Sequence, residues 1–187
     1  MTKFSSIVVA LVVFAACALP LAAQTPPKVN STGGNSPHET TSAVFDRARD
    51  NRVTITYGRP FAKGRVVWGT LVPWDKAWRL GSDEATTLIT QQTLDLGGTT
   101  LAPGVYTLYM VPSESGTSKL AISKRLGGWG IPVDETQDIA RVDMKKEALD
   151  AAVEQLTIAL APNPAGGGTL KVSWDKSAYS VPFTIKK

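Results

Sequence analysis

Residues 170–185 read Leu-Lys-Val-Ser-Trp-Asp-Lys-Ser-Ala-Tyr-Ser-Val-Pro-Phe-Thr-Ile. Leu170, Val172 and Trp174 fall at every second position, and so do Tyr179, Val181, Phe183 and Ile185. Lys171, Ser173, Thr184 and Lys186 occupy intervening sites. A period of two places the apolar set on one face of an extended chain and the polar set on the other. The apolar phase changes across Asp175–Ser177, which predicts two strands joined there by a hairpin turn.

The same signal recurs toward the N-terminus. Leu156, Ile158 and Leu160 alternate, Lys119 to Lys124 reads as a short strand, and Val105 to Val111 is apolar on both faces, as a covered central strand requires. Leu88, Leu94 and Leu96 are in phase between Thr87 and Leu96, and Val53, Ile55 and Tyr57 share one face of Arg52–Tyr57. His38 to Arg49 is extended in character and turns at Asp50-Asn51. Asp138 to Lys146 fits helix or strand, and Glu147 to Ala152 reads as the more helical part. Eight or nine short strands with at most one short helix predict an all-β fold. The expected form is an antiparallel β-sandwich, jelly-roll-like or a partly closed barrel.

The N-terminus predicts export. Lys3 precedes a charge-free apolar run from Ile7 to Leu19, and Pro20-Leu21-Ala22-Ala23 closes it with mostly small residues. That is the layout of a secretory signal peptide over residues 1–23, and the run is too short to span a bilayer. The rival reading is a lipoprotein anchored through Cys17, although Phe14 stands where Leu or Val is normal. Residues 24–36 are rich in Pro, Gly, Ser, Thr and Asn and read as a flexible lead-in. Residues 37–187 are then a single β-sandwich domain in a periplasmic or secreted protein, with no transmembrane span in the mature chain.

Removing 23 of 187 residues leaves 164, enough for one core. Only Lys3 is lost among the charges, so 19 basic residues face 16 acidic ones. This slight excess is spread along the chain, which argues against a nucleic-acid partner. The one cysteine lies inside the signal, leaving no disulfide, thiol nucleophile or thiolate metal site. With a single histidine, a His-rich zinc site is excluded as well. Calcium held by Asp83 and Glu84 lacks any supporting spacing. No metal and no cofactor are expected.

The chemistry-bearing side chains gather in Tyr57–Thr86, YGRPFAKGRVVWGTLVPWDKAWRLGSDEAT, with three of the five tryptophans. Arg59, Lys63, Arg65 and Arg79 accompany Asp75, Asp83 and Glu84 there. In one reading this is a polar pocket. Arg59, Arg65 and Arg79 grip a carboxylate, phosphate or sugar hydroxyls, Trp68 and Trp78 supply a stacking floor, and Asp83, Glu84 and His38 complete the site. In the other reading the loop plugs the sandwich end, and its arginines pair with acids or loop carbonyls. A hydrolase-like enzyme would use Glu84 with His38 or Arg79, since imidazole titrates near neutrality. No Gly-x-Ser-x-Gly elbow, phosphate loop or dinucleotide fingerprint occurs, and Arg125–Gly130 is a Gly-rich turn. Asp83 and Glu84, being adjacent, would point to opposite faces of a strand, a poor arrangement for a glycosidase pair. No catalytic residue is assigned. The partner is an unknown small polar ligand or an envelope partner, with a purely structural envelope module as the remaining alternative.

The motifs YGRPxxKGRxxWGxLVPW, WRxGxxEAT and LAPGVYTLYMVP resemble a bacterial exported family catalogued as domain of unknown function 2911. Ser36-Pro37-His38, Asp138-x-x-Arg141 and the strand around Trp174 fit the same pattern. The resemblance covers essentially the whole mature chain and implies an exported β-sandwich-like domain without assigning an activity. Leu80 and Ser82-Asp83 stand where the family more often has WRTGANEAT, which places an extra negative charge beside Glu84.

Overall fold

The computed structural model describes residues 34–47, 51–164 and 166–186. The predicted signal peptide, Cys17, most of the predicted lead-in and the Asp50 side of the first turn lie outside them. Among the described residues, ten strands form two antiparallel sheets without a closed barrel. The first three, β1 (His38–Asp46), β2 (Asn51–Gly58) and β3 (Thr86–Thr90), run as neighbours. The chain then crosses to a small hairpin, β4 (Leu94–Leu96) and β5 (Thr99–Leu101). It returns for β6 (Gly104–Val111), β7 (Lys119–Ser123) and β8 (Asp138–Asp143), and crosses again for β9 (Lys145–Pro162) and β10 (Gly168–Ile185). The larger sheet is ordered β1-β2-β3-β6-β7-β8 and the smaller β5-β4-β10-β9. Among the described residues, helix is limited to a 3-10 turn at Glu135–Gln137 capped by Asp134, whose side chain accepts from the Thr136 N–H.

The core lies between the sheets and follows the predicted alternation. Val53, Ile55, Tyr57, Leu88, Leu108, Met110, Leu120 and Ile122 come from one sheet. Leu94, Leu96, Leu156, Ile158, Leu170, Val172, Trp174, Tyr179, Val181 and Phe183 come from the other. Each such side chain contributes roughly 1.5–3 kcal/mol on burial, so this one interface stabilises the chain without a disulfide. β6 pairs with β3 and β7 and is an interior strand, as its apolar character on both faces predicts.

Three local expectations are corrected. Asp175–Ser177 is not a hairpin turn, because β10 runs unbroken through it. Its register against β9 shifts between Ser173 and Asp175 and again between Asp175 and Ser177, with Asp175 at φ 50°. These bulges absorb the change of apolar phase inside one strand. Glu147–Ala152 is not helical but belongs to β9, where Glu147 and Ala148 pair with Ala178 and Ser177. Pairing with a neighbouring strand overrides a modest local helix preference. Thr87–Leu96 is not one strand: β3 and β4 sit in different sheets, joined where Thr90 donates from its hydroxyl to the Gln92 carbonyl.

Candidate functional site

The span from Arg59 to Ala85 links β2 to β3 and fills one end of the sandwich. Its entry is stitched to β9. Ala62 N–H donates to the Glu154 carbonyl at 2.8 Å, and Leu156 N–H donates to the Pro60 carbonyl at 3.0 Å. Tyr57 reaches across from β2, accepting from Ile158 N–H at 2.8 Å and donating to the Ile158 carbonyl at 3.3 Å. Arg59 donates from Nε to the Leu156 carbonyl and from Nη2 to Thr157 Oγ1, both at 3.0 Å, while Nη1 pairs with Glu39. A guanidinium suits this position because its fixed fork satisfies three acceptors at once.

Beyond that entry the tryptophans interlock. Trp68 stacks on Trp74 at 6.1 Å, meets Trp78 edge-on at 5.9 Å and lies 4.9 Å from the Tyr179 ring. Trp78 stacks on Trp174 at 5.8 Å. Trp68 Nε1 donates to the Trp174 carbonyl at 3.1 Å, and Trp174 Nε1 to the Glu154 carbonyl at 3.2 Å. Both indole N–H groups thus find partners at the end of the core, as buried indoles require. Lys146 lies over Trp74 at 5.0 Å.

The second half of the span turns sharply. Asp75, Leu80 and Asp83 there, like Lys63 near the entry, take positive φ values, which are uncommon and strained for residues other than glycine. Gly58 is required where the entry closes, because a Cβ there would sit 2.1 Å from the Ser82 carbonyl oxygen. Asp83 is 5 % exposed and accepts from Ser36 N–H at 3.1 Å, which ties the chain ahead of β1 to the loop. Arg79 Nη1 donates to the Asp83 carbonyl at 2.6 Å and to the Trp129 carbonyl at 2.9 Å, with the guanidinium 5.2 Å from the Trp129 ring. Burial pulls the Arg79 pKa below its ordinary value, while Asp83 and Glu84 act in the opposite sense. Arg65 is exposed and bonds only within its own turn, to the Ala62 and Phe61 carbonyls at 2.9 and 2.6 Å.

An open groove of about 410 Å³ runs beside this loop, lined by Arg65, Trp78, Arg79, Ser82, Ile131 and Trp174 among others. The Ser82 hydroxyl oxygen is buried and has no hydrogen-bond partner among the described residues. Of the sequence-predicted site residues, Arg65, Trp78 and Arg79 line the groove, whereas Arg59, Trp68, Asp83, Glu84 and His38 do not. Asp83 and Glu84 lie in a bend rather than on a strand, which removes the opposite-face argument. His38 Nε2 lies 2.7 Å from Glu84 Oε2, with both side chains open to solvent.

Sequence reasoning missed Ser82, Ile131 and Trp174 as groove residues: Ser82 and Trp174 fall within family motifs that assign them no such role, and no motif marks Ile131. It also missed a polar network on the outer face of the larger sheet. Tyr109 donates to Asp138, Arg141 Nη2 donates to Tyr109 Oη at 2.8 Å, and Arg141 pairs with Asp138 at 2.9 Å and Glu135 at 2.6 Å. Burial first, then the bond to Asp138, pushes the Tyr109 phenol far above its ordinary value. Among the described residues no cluster of three or more His, Cys, Asp or Glu side chains is placed to hold a metal ion. No described helix is long and apolar enough to cross a membrane.

The fold and the site together define a β-sandwich whose two sheets are clasped at one end by a tryptophan–arginine loop. The chain belongs to the family described as protein of unknown function (DUF2911), whose model matches residues 36–183. That span takes in the loop, the groove and the Tyr109–Asp138–Arg141 network. The chain has no match among curated proteins and none among solved structures.

Proposed function

We propose that this is an exported cell-envelope protein that binds a small polar or carbohydrate-like ligand in the groove beside Trp78. The carrying observation is the composition of that groove: the partly exposed ring of Trp78 backed by the buried Trp174, two guanidinium groups, and the buried, unpartnered hydroxyl of Ser82. An apolar face with a few convergent polar groups is the usual make-up of a site for a small molecule. Trp78 supplies a surface for the apolar side of a sugar ring. Arg65 and Arg79 keep donors in excess of their loop carbonyls for hydroxyl, carboxylate or phosphate oxygens. The signal-like N-terminus supports the exported location.

The test is a thermal-shift screen of the protein against sugars, organic acids and peptidoglycan fragments, run beside Arg65→Ala. Arg65 bonds only within its own turn, so its loss leaves the unliganded Tm nearly unchanged. A ligand at 100 times its Kd adds about 2.7 kcal/mol. For a domain of this size that raises Tm by roughly 5–10 °C. The rise disappears in Arg65→Ala. A flat response across the screen refutes the reading.

A second reading, a hydrolase-like enzyme using Glu84 with His38 or Arg79, is supported by the 2.7 Å contact between His38 and Glu84. A carboxylate so placed orients an imidazole as a general base toward water. Turnover of aryl esters or glycosides that vanishes in Glu84→Gln would carry it, and no turnover above the buffer rate would end it.

A further inference from the structure

The loop between β7 and the 3-10 turn carries Lys-Arg-Leu-Gly-Gly-Trp-Gly-Ile-Pro-Val over residues 124–133. Leu126, Trp129 and Ile131 are 56 %, 48 % and 49 % exposed. Three of the nine large hydrophobics exposed among the described residues therefore fall within six positions. Burial in the core accounts for none of the three. Gly127, Gly128 and Gly130 all take positive φ, and this backbone turns the apolar side chains outward. Arg79 holds the loop in place through the Trp129 carbonyl and its ring. Ala85 N–H adds a bond to the Gly128 carbonyl at 3.2 Å.

From this we infer that residues 124–133 are a docking loop for an anionic lipid surface, with Trp129, Leu126 and Ile131 entering the headgroup–acyl boundary. Charge selects this occupant. Lys124 and Arg125 flank the apolar trio, and no carboxylate occurs from residue 124 to residue 133. Acids do lie near the loop: Asp134 accepts from Thr136 and is held low in part by the Arg125 guanidinium, and Glu135 pairs with Arg141. Glu84, beside the Ala85 N–H that bonds Gly128, contacts His38. Lys124 is thus the loop cation with no acid close to it in sequence. Side-chain chemistry selects it too, because an indole beside aliphatic groups, with cations behind, matches the layered polarity of a bilayer interface. The inference does not depend on the groove reading and shares with it only Arg79 and Ile131, so its test uses neither residue.

The full chain is mixed with phosphatidylglycerol vesicles carrying brominated acyl chains, and its tryptophan emission is compared with that of Trp129→Phe. The difference between the two isolates Trp129, whatever affinity the N-terminal apolar run has for lipid. The expected result is quenching of that difference signal, with partitioning on the order of 30-fold weaker on neutral phosphatidylcholine for two interfacial cations. Leu126→Ser diminishes the quenching as well. An unquenched difference signal overturns the proposal, as does equal quenching in Leu126→Ser. A lipid-free oligomer abolished by Leu126→Ser also overturns it, by assigning the loop to a second copy of the chain. Should Trp129→Phe lose the native melting transition, Lys124→Gln with Arg125→Gln decides by vesicle co-sedimentation. At least a tenfold loss on anionic vesicles sustains the proposal, and no loss refutes it.

Discussion

Arg59→Ala separates holding the loop from binding a ligand. Arg59 does not line the groove, and its side chain is 23 % exposed, so its work is done against β9 and Glu39. Truncation removes three bonds of unequal worth. The partly exposed pair with Glu39 contributes about 0.5–1 kcal/mol. Losing Nε strips the Leu156 carbonyl of a charged donor at a site closed to water, at about 1–3 kcal/mol. Thr157 suffers less, because its hydroxyl still donates to the Gln155 carbonyl at 3.0 Å. The total is about 2–4 kcal/mol, or a Tm lower by roughly 5–15 °C for a domain of this size. Arg59→Lys recovers a small part of that, since an ammonium cannot serve three acceptors in a plane. Thermal unfolding followed by circular dichroism, with a urea titration at fixed temperature, measures both variants. A Tm for Arg59→Ala within about 2 °C of wild type would refute the reasoning and show that β9 is held by its backbone contacts alone.

Two further outcomes follow from the same geometry. Trp68→Ala removes three ring contacts and leaves the Trp174 carbonyl without its indole donor, so a loss of about 3–5 kcal/mol is expected in urea unfolding; a loss under about 1 kcal/mol would mean that the ring cluster collapses around the gap. Burial is the leading cause raising the phenols of Tyr57, Tyr109 and Tyr179, the last to about 12. Unfolded tyrosine ionises near 10. The unfolded state therefore sheds these protons first, and the stability they confer, complete below about pH 10, declines as pH rises through the folded values. Absorbance at 295 nm should show these three tyrosines ionising together with the loss of near-ultraviolet dichroism; ionisation with the fold intact would contradict it.

The all-β architecture was legible because burial in a two-sheet core imposes a period of two, and Leu170, Val172, Trp174, Tyr179, Val181 and Phe183 all obey it. What the residues could not reveal was how a change of phase is resolved. Asp-Lys-Ser at 175–177 suits a turn, but it suits a bulge equally, and only the long partner β9 decides between them. Glu147–Ala152 misled for a related reason: its side chains are mostly solvated, so its composition carried no record of the strand it joins. The loop was legible as a concentration of arginine and tryptophan. Its division of labour was not, since Arg59 and Arg65 differ by what stands opposite them, Leu156 and Thr157 in one case and their own turn in the other. Asp138 and Arg141 were visible as a motif pair, whereas Tyr109, distant in sequence, joins them only through the β6–β7–β8 pairing.

The bonds from Pro60 and Ala62 to β9 have one more consequence. β9 is an outer strand of its sheet, and a long unpaired edge invites strand addition from another chain. The Arg59–Ala62 segment occupies the middle of that edge, where Phe61 forms a β-bridge with Gln155. Toward its start, the strand carries Lys145, Lys146, Glu147 and Asp150, which discourage close approach. The clasp that seals one end of the core therefore also covers the middle of the smaller sheet's edge, where a strand of another chain would otherwise add.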